Sequence, residues 1–565
     1  MRSMLLLFCL LTGLVRAQPP IPEEAPSRFQ STRAHHAMVA SAEAHATRAG
    51  LEVMRQGGNA VDAAVTTAFV LAVTLPSAGN LGGGGFLLVR TRDGQIEALD
   101  FRETAPAATH RDFYLDAQGQ VDRQRITLGY QSCGVPGTVA GMEAVLKRYG
   151  TISLRKAVEP ARRLAAEGML VTRDLADDLA RVQDDLRKFP ATAAIFLPGN
   201  KVPEVGDRLF QKDLAWSLEQ IGEMGSAAFY RGQVGQRMIA SIQKNGGVMT
   251  MADLAAYRAL WRKPVEGTYR GFAVYAMPPP SSGGVHLVQM LNILEGYDLA
   301  ALGHNSAATL HLLAEAMRSA YADRATWLGD PDFFKVPVDW LTSKGYATEL
   351  RGQIKAGVAR KSSQVQAGKP PDEPPQTTHF SVVDGHGMAV SLTYTLNFSY
   401  GSKAVAEGTG ILLNDEMDDF SAAPGSPNGF GLVGGEANSV QPGKRPLSSM
   451  TPTILEKDDQ LVAVVGSPGG SRIITAVLQA ILNVIDFHLN AQSAVAAARV
   501  HHQWLPDELY FEEGISPDTL GLLRSYGHTL SPRNTFGHVQ MIWRRPDGWW
   551  EGGTDPRRPG LVEGF

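Results

Sequence analysis

The chain has 565 residues, 44% of them hydrophobic and 19% charged, a globular composition with length enough for a full-sized enzyme. Lys and Arg total 53 against 57 Asp and Glu, a net charge of -4 without the basic excess that phosphate backbones or anionic lipids select, so nucleic acid is not an expected partner. Gly (59) and Pro (33) are plentiful without a triplet period, which predicts many tight turns, not collagen or disorder.

The N-terminus carries Arg2, the apolar run Met4 to Leu11 and Val15-Arg16-Ala17 ahead of a Pro-rich stretch, and reads as a signal peptide over residues 1–17. The run is too short to span a bilayer and no later run suits a membrane helix, so a periplasmic or secreted protein without a stable membrane span is expected. Cys9 would leave with the signal; Cys133 then has no disulfide partner and is expected to be a core thiol. Neither H-E-x-x-H nor C-x-x-C occurs, and the pairs His35-His36 and His501-His502 read as surface or structural residues, so no metal or other cofactor is expected.

Ser41 to Gln56 has amphipathic helical spacing and stops at Gly57-Gly58-Asn59; Ala60 to Val73 then predicts an almost wholly buried helix. Phe86 to Arg90 and Ile96 to Phe101 predict a hairpin across Asp93-Gly94. It is entered through the glycine loop Gly82 to Gly85, which precedes a strand and so is no dinucleotide fingerprint. Leu154 to about Ala359 reads as mostly helical, with Arg173 to Lys188 an example.

Residues 359–376 break the pattern, with Arg360, Lys361, Ser362, Ser363, Lys369 and four prolines at 370, 371, 374 and 375. Such a segment buries too little apolar area to offset its ordering entropy and predicts a flexible tether. Thr378 to Val383, Asp384-Gly385-His386-Gly387 and Met388 to Leu396 then predict strand, turn and strand. Composition alone favours a linker between two domains.

The chemistry available to Thr377 points elsewhere. An N-terminal threonine has an α-amine of unperturbed pKa near 8 and can act as base for its own hydroxyl, which requires that the bond from Gln376 be cut. A three-residue turn, with Asp384 opposite Met388, sets Thr377 across from Thr395; a two-residue turn sets it across from Tyr394. Acyl transfer also needs oxyanion donors, and Ser467-Pro468-Gly469-Gly470-Ser471-Arg472 places unobstructed amides before the helical run Ile473 to Asp486.

Thr377-Thr378-His379-Phe380-Ser381, Pro446-Leu447-Ser448-Ser449-Met450, Gly466 to Arg472, and Phe101-Arg102-Glu103 with Gly79 to Phe86 together resemble the motifs of γ-glutamyltranspeptidases. The likeness extends from about Ala37 to the C-terminus and includes Asn414 to Phe420 and His501 to Glu508. The resemblance implies the N-terminal-nucleophile hydrolase fold, a mixed α/β (α+β) four-layer αββα sandwich of two stacked antiparallel sheets. Large (18–376) and small (377–565) subunits of one cut chain would build it jointly as a heterodimer. It implies Thr377 as nucleophile with Thr395 as hydroxyl partner, and Gly469 and Gly470 as oxyanion donors. Arg102, Ser448 and Ser449 would hold the α-carboxylate of a γ-glutamyl group, and Asn397, Glu416 and Asp419 its α-ammonium. Glutathione and similar donors, with water, amino acids or peptides as acceptors, are the implied partners. Residues 424–435 correspond to a lid in which Phe430 stands where relatives often carry tyrosine, and a phenyl ring donates no hydrogen bond.

Without the resemblance, Arg102-Glu103 reads as a surface ion pair and Glu416, Asp418 and Asp419 as a solvated acidic turn. Competing functions are a glutaryl acylase of the same family, a non-catalytic exported binding protein with a proline linker, and a serine hydrolase using Ser467 or Ser449, the last lacking a G-x-S-x-G elbow.

Overall fold

The computed structural model describes residues 29–364 and 377–565. The expected signal peptide, most of the tether and Gln376 lie outside the described residues.

Thr377–Val383 and Ala389–Thr395 form the centre of a seven-stranded sheet that continues through Met38–Ser41 to Leu561–Gly564 on one side, and through Gly84–Arg90 and Ile96–Phe101 to Leu260–Arg262 on the other. A second seven-stranded sheet runs Thr32–Ala34, Trp550–Thr554, Gln540–Arg544, Gln460–Gly466, Thr453–Lys457, Phe272–Ala276, Val265–Tyr269. Neighbouring strands in both sheets are antiparallel. Each sheet contains strands from both before and after the tether. A chain of two domains joined by a linker is therefore ruled out, since neither half can complete its sheets alone.

The sheets stack face to face. Ser381 Oγ donates to the Gln540 carbonyl (3.3 Å), and Ser391 Oγ donates to the Val465 carbonyl (3.3 Å) while accepting the Thr453 N–H (3.0 Å). Period-two alternation sends Val39, Leu87, Val89, Leu99, Val382, Val390 and Leu392 to the opposite face, where they pack against the helices Ala44–Arg55, Ala60–Thr74 and Thr138–Tyr149. The helices Gly283–Leu294, Ala307–Trp327 and Ile473–Ile485 cover the outer face of the second sheet. The order helix, sheet, sheet, helix is the expected four-layer sandwich.

The local predictions hold with small shifts. The amphipathic helix spans Ala44–Arg55 and the buried one Ala60–Thr74, where all fifteen residues are buried and Asn59 caps the start by accepting the Val61 and Asp62 N–H groups. The helix read at Arg173 to Lys188 spans Arg173–Leu186. The helical reading of Leu154 to Ala359 missed three short strands, Leu260–Arg262, Val265–Tyr269 and Phe272–Ala276, which supply edges to both sheets. Cys133 is a core thiol that burial pushes up to about 12. His501 and His502 are buried, whereas His35 and His36 are exposed.

Candidate active site

Register comes first, because it decides what faces Thr377. Asp384 N–H donates to the Met388 carbonyl (3.0 Å) and Gly387 closes the turn at φ 83°. Asp384 Oδ1 accepts the N–H groups of His386 (2.8 Å) and Met388 (3.1 Å), and Oδ2 accepts that of Ala60 (3.1 Å), tying the turn to the buried helix. Of the two registers the sequence allows, this is the three-residue one. Thr377 pairs with Thr395, their hydroxyl oxygens 3.3 Å apart. Thr395 Oγ1 also accepts the N–H of Asn397 (2.8 Å), a non-glycine residue held at φ 81°.

A cavity of about 270 Å³ opens at this end of the hairpin. Arg102, Asn397, Glu416, Asp419, Phe430, Ser448, Ser449 and Gly470 line it together with Thr377 and Thr395. Of the residues named from the sequence, Gly469 lies instead in a second cavity of about 660 Å³ that also reaches Thr377, so the threonine stands between two chambers.

The surface readings of this cluster fail, because Arg102, Glu103, Glu416 and Asp418 are all at most 1% exposed. Arg102 pairs with Glu416 and, at 2.5 Å, with Asp419, while its Nε donates to the Pro446 carbonyl (3.2 Å). Burial pulls the Arg102 pKa down, but Glu416, Asp419 and Glu103 outweigh it and raise it. Burial pushes the Glu103 carboxyl up to about 7 against the pull of Arg102, and pushes Glu416 well above the usual carboxylate range. Arg102 is thus shared among carboxylates of its own chain, including both expected to face an ammonium, and is not paired with Ser448 or Ser449.

The serines are held from behind. Ser448 Oγ accepts the Met450 N–H (3.1 Å) and Ser449 Oγ accepts Arg324 Nη2 (3.2 Å), so neither contact uses the hydroxyl hydrogen, and both serines line the cavity. The segment expected to be a lid, residues 424–435, is tied to the same cluster. Asn428 Nδ2 donates to Asp419 Oδ1 (3.1 Å) and Gly429 N–H to Asp418 Oδ2 (2.8 Å). The Phe430 ring lies 5.0 Å from that of Phe398, an apolar contact in place of a hydroxyl bond. Gln503 Nε2 reaches the carbonyls of Phe430 and Gly431 (3.4 Å each), and its Oε1 accepts from Ser471 Oγ (2.9 Å), next to Gly470. The sequence gives no sign of Arg324, which lies in no motif, and assigns no role to Asn428 within 424–435 or to Gln503 within His501 to Glu508.

Gly469 at φ 138° and Gly470 at φ 56° carry the chain into the turn that starts the helix Ile473–Ile485, leaving their amides without side-chain cover. The serine-hydrolase reading fails on contacts. Ser467 Oγ donates to the Pro468 carbonyl (2.7 Å) and accepts the His538 N–H (3.1 Å), and Ser449 faces an arginine instead of a base. His379, two residues from Thr377, bonds Thr393 Oγ1 (2.8 Å) and Ser381 Oγ (3.0 Å), and burial holds it down to about 3. It is a neutral structural group packed where a side chain on Gly466 would clash, 2.4 Å from the ring.

One group with metal-ligand chemistry lies elsewhere: atoms of His311, Glu315 and His528 come within 4.8 Å of one another. No motif spacing announced it. The imidazoles bond each other (Nδ1 to Nε2, 2.8 Å), His311 Nε2 bonds the Lys355 carbonyl (2.9 Å), and the Glu315 carboxylate is already paired with Arg318 and Arg360. Among the described residues no helix is long and apolar enough to cross a membrane.

A family model described as Gamma-glutamyltranspeptidase matches residues 46–565. The chain is 51% identical over 547 residues to the glutathione hydrolase proenzyme of Escherichia coli (strain K12), covering 96% of this chain and 94% of that one. It is 38% identical over 556 residues to the Acylase ACY 1 proenzyme of Pseudomonas sp. (strain V22), covering 97% of each. Among solved structures, a cephalosporin acylase from Bacillus halodurans superposes with TM-score 0.83 at 30% identity, over 97% of this chain and 99% of that one. The γ-glutamyltranspeptidase of Helicobacter pylori matches with TM-score 0.57 at 42% identity, over 62% of this chain and 97% of that one. With the motifs gathered at one cavity and the family model spanning nearly the whole described chain, the protein belongs to the γ-glutamyltranspeptidase family.

Proposed function

We propose that the chain is a γ-glutamyltranspeptidase with glutathione hydrolase activity, exported by residues 1–17 to the periplasm or beyond. It is made as a precursor that cuts itself between Gln376 and Thr377 into subunits 18–376 and 377–565, which remain paired. The observation that carries the reading is the single cavity where the Thr377 and Thr395 hydroxyls meet Gly470, Arg102, Asn397, Glu416, Asp419, Ser448 and Ser449.

In maturation the Thr377 hydroxyl attacks the Gln376 carbonyl carbon, the peptide C–N bond breaks to free the Thr377 α-amine, which takes up the hydroxyl proton, and water then hydrolyses the resulting ester to a Gln376 carboxylate and the free Thr377 hydroxyl. In turnover that amine takes the hydroxyl proton as Oγ attacks the γ-carbonyl of the donor. The amides of Gly469 and Gly470 stabilise the oxyanion, and the proton passes to the departing amine. Water, an amino acid or a peptide then cleaves the ester in a ping-pong scheme. The cluster selects the donor by charge, the serine hydroxyls with Arg102 meeting the α-carboxylate, and Asn397, Glu416 and Asp419 the α-ammonium. Some relatives carry acylase names, yet a glutaryl group has no ammonium to set against Asp419 and the buried Glu416, which favours a γ-glutamyl donor.

Mass analysis and N-terminal sequencing of purified protein test the reading, with L-γ-glutamyl-p-nitroanilide and glutaryl-p-nitroanilide as substrates. The expected result is two fragments, the smaller beginning at Thr377, an uncut Thr377→Ala variant, and faster γ-glutamyl cleavage. An intact wild-type chain, or faster glutaryl cleavage, would overturn it.

A further inference from the structure

Arg324, on the helix Ala307–Trp327, is 5% exposed, yet no carboxylate lies within ion-pairing distance of it among the described residues. Its side-chain partners are two neutral hydroxyls: Nε donates to Ser282 Oγ (3.0 Å) and Nη2 to Ser449 Oγ (3.2 Å). A buried guanidinium with no ion-pair partner is costly, and burial, against the more distant pull of Asp419, holds its pKa down to about 10. Arg102, the other cation of the cluster, is engaged by Glu416 and Asp419.

The hydrogen bonds say how Arg324 acts. A guanidinium only donates, so Ser449 Oγ must accept from it, and the serine's own hydrogen turns away. No other described residue bonds that oxygen, and Ser449 lines the cavity. On the other branch Ser282, while accepting from Arg324, donates through both Oγ and N–H to the Ser448 carbonyl (2.8 Å each). One arginine therefore aims the Ser449 hydroxyl and steadies the backbone of Ser448.

We infer that Arg324 is a positioning and specificity residue that, through Ser449, makes the cavity select donors bearing an α-carboxylate. The inference rests on the γ-glutamyl reading above and names a residue that reading did not need.

The test compares L-γ-glutamyl-p-nitroanilide with 4-aminobutanoyl-p-nitroanilide, which keeps the ammonium and lacks the α-carboxylate. Wild type should prefer the first strongly. Arg324→Gln should narrow the ratio of kcat/KM by about ten- to hundredfold, the scale of a hydrogen bond to a charged group, mainly through KM of the carboxylate-bearing donor. Arg324→Lys should recover part of the preference. Ser449→Ala, which leaves the arginine in place, should narrow the ratio similarly, and adding Arg324→Gln to it should change little more. If Arg324→Gln slows both substrates equally, or does not mature and Ser449→Ala leaves the ratio unchanged, the inference is wrong. Wild-type cleavage of the γ-glutamyl anilide upholds the underlying reading whichever way the ratio moves, so the two fail separately.

Discussion

Replacing Thr395 by valine keeps the branched shape of a strand residue that is 2% exposed and removes one hydroxyl. Two contacts go with it, the 3.3 Å approach to Thr377 Oγ1 and the 2.8 Å bond from the Asn397 N–H. The first is a neutral hydrogen bond worth about 0.5–1.5 kcal/mol, or roughly a factor of 2 to 12 in rate. The second leaves a buried N–H without its acceptor at a cost of about 1–3 kcal/mol, and it frees Asn397 at its left-handed φ, next to the cavity. Because the nucleophile must be held in attack geometry, kcat should fall about tenfold or more, and self-cleavage of the precursor by a similar factor. Thr395→Ser restores the hydroxyl and should recover most of both. The assays are the time course of fragment appearance by gel and the release of p-nitroaniline under saturating donor. The reasoning is refuted if Thr395→Val matures and turns over within twofold of wild type.

Two further outcomes follow from the geometry. Gly469→Ala places a Cβ 3.1 Å from Gly537 Cα at φ 138°, a region L-residues avoid, so the amide must shift at a cost of about 1–3 kcal/mol; kcat should drop more than tenfold with little change in KM, and wild-type kinetics would contradict an oxyanion role. Acid should unfold the protein early. Burial holds His286, His379, His501 and His528 down to about 3, and His502 and His538 to about 4. Below their ordinary pKa near 6.5 the unfolded chain binds protons that the native state refuses, so stability is full above that pH and falls by about 1.4 kcal/mol per pH unit for each histidine as pH drops toward 4. Scanning calorimetry should give a clearly lower Tm at pH 5 than at pH 7, and equal values would refute the assignment.

The sequence was most informative where structure is local. The buried helix at Ala60–Thr74 follows from an almost wholly apolar run behind Asn59, and the hairpin from alternating strands around Asp384-Gly385-His386-Gly387. The chemistry proposed for Thr377 is also local, because a nucleophile that supplies its own base needs one residue and one cut bond, although composition alone favours a plain linker there. The strands between Leu260 and Ala276 were not legible: they are three to five residues long, carry no clean alternation, and exist because the two sheets need edges.

Tertiary structure decided whatever depends on distant partners. Local rules left two registers, and the packed one sets Ser381 and Ser391 on the second sheet and Thr377 opposite Thr395, since a one-residue slip would turn every side chain to the wrong face. Arg102 beside Glu103 looks like a surface pair until the fold brings in Glu416, 314 positions away. Ser449 looks like a loop serine until Arg324, 125 positions earlier, reaches it. The role proposed for Thr377 can be read from the chain because it needs only that residue and one cut bond, whereas the ion cluster beside it arises only when burial removes water and leaves those ions to one another.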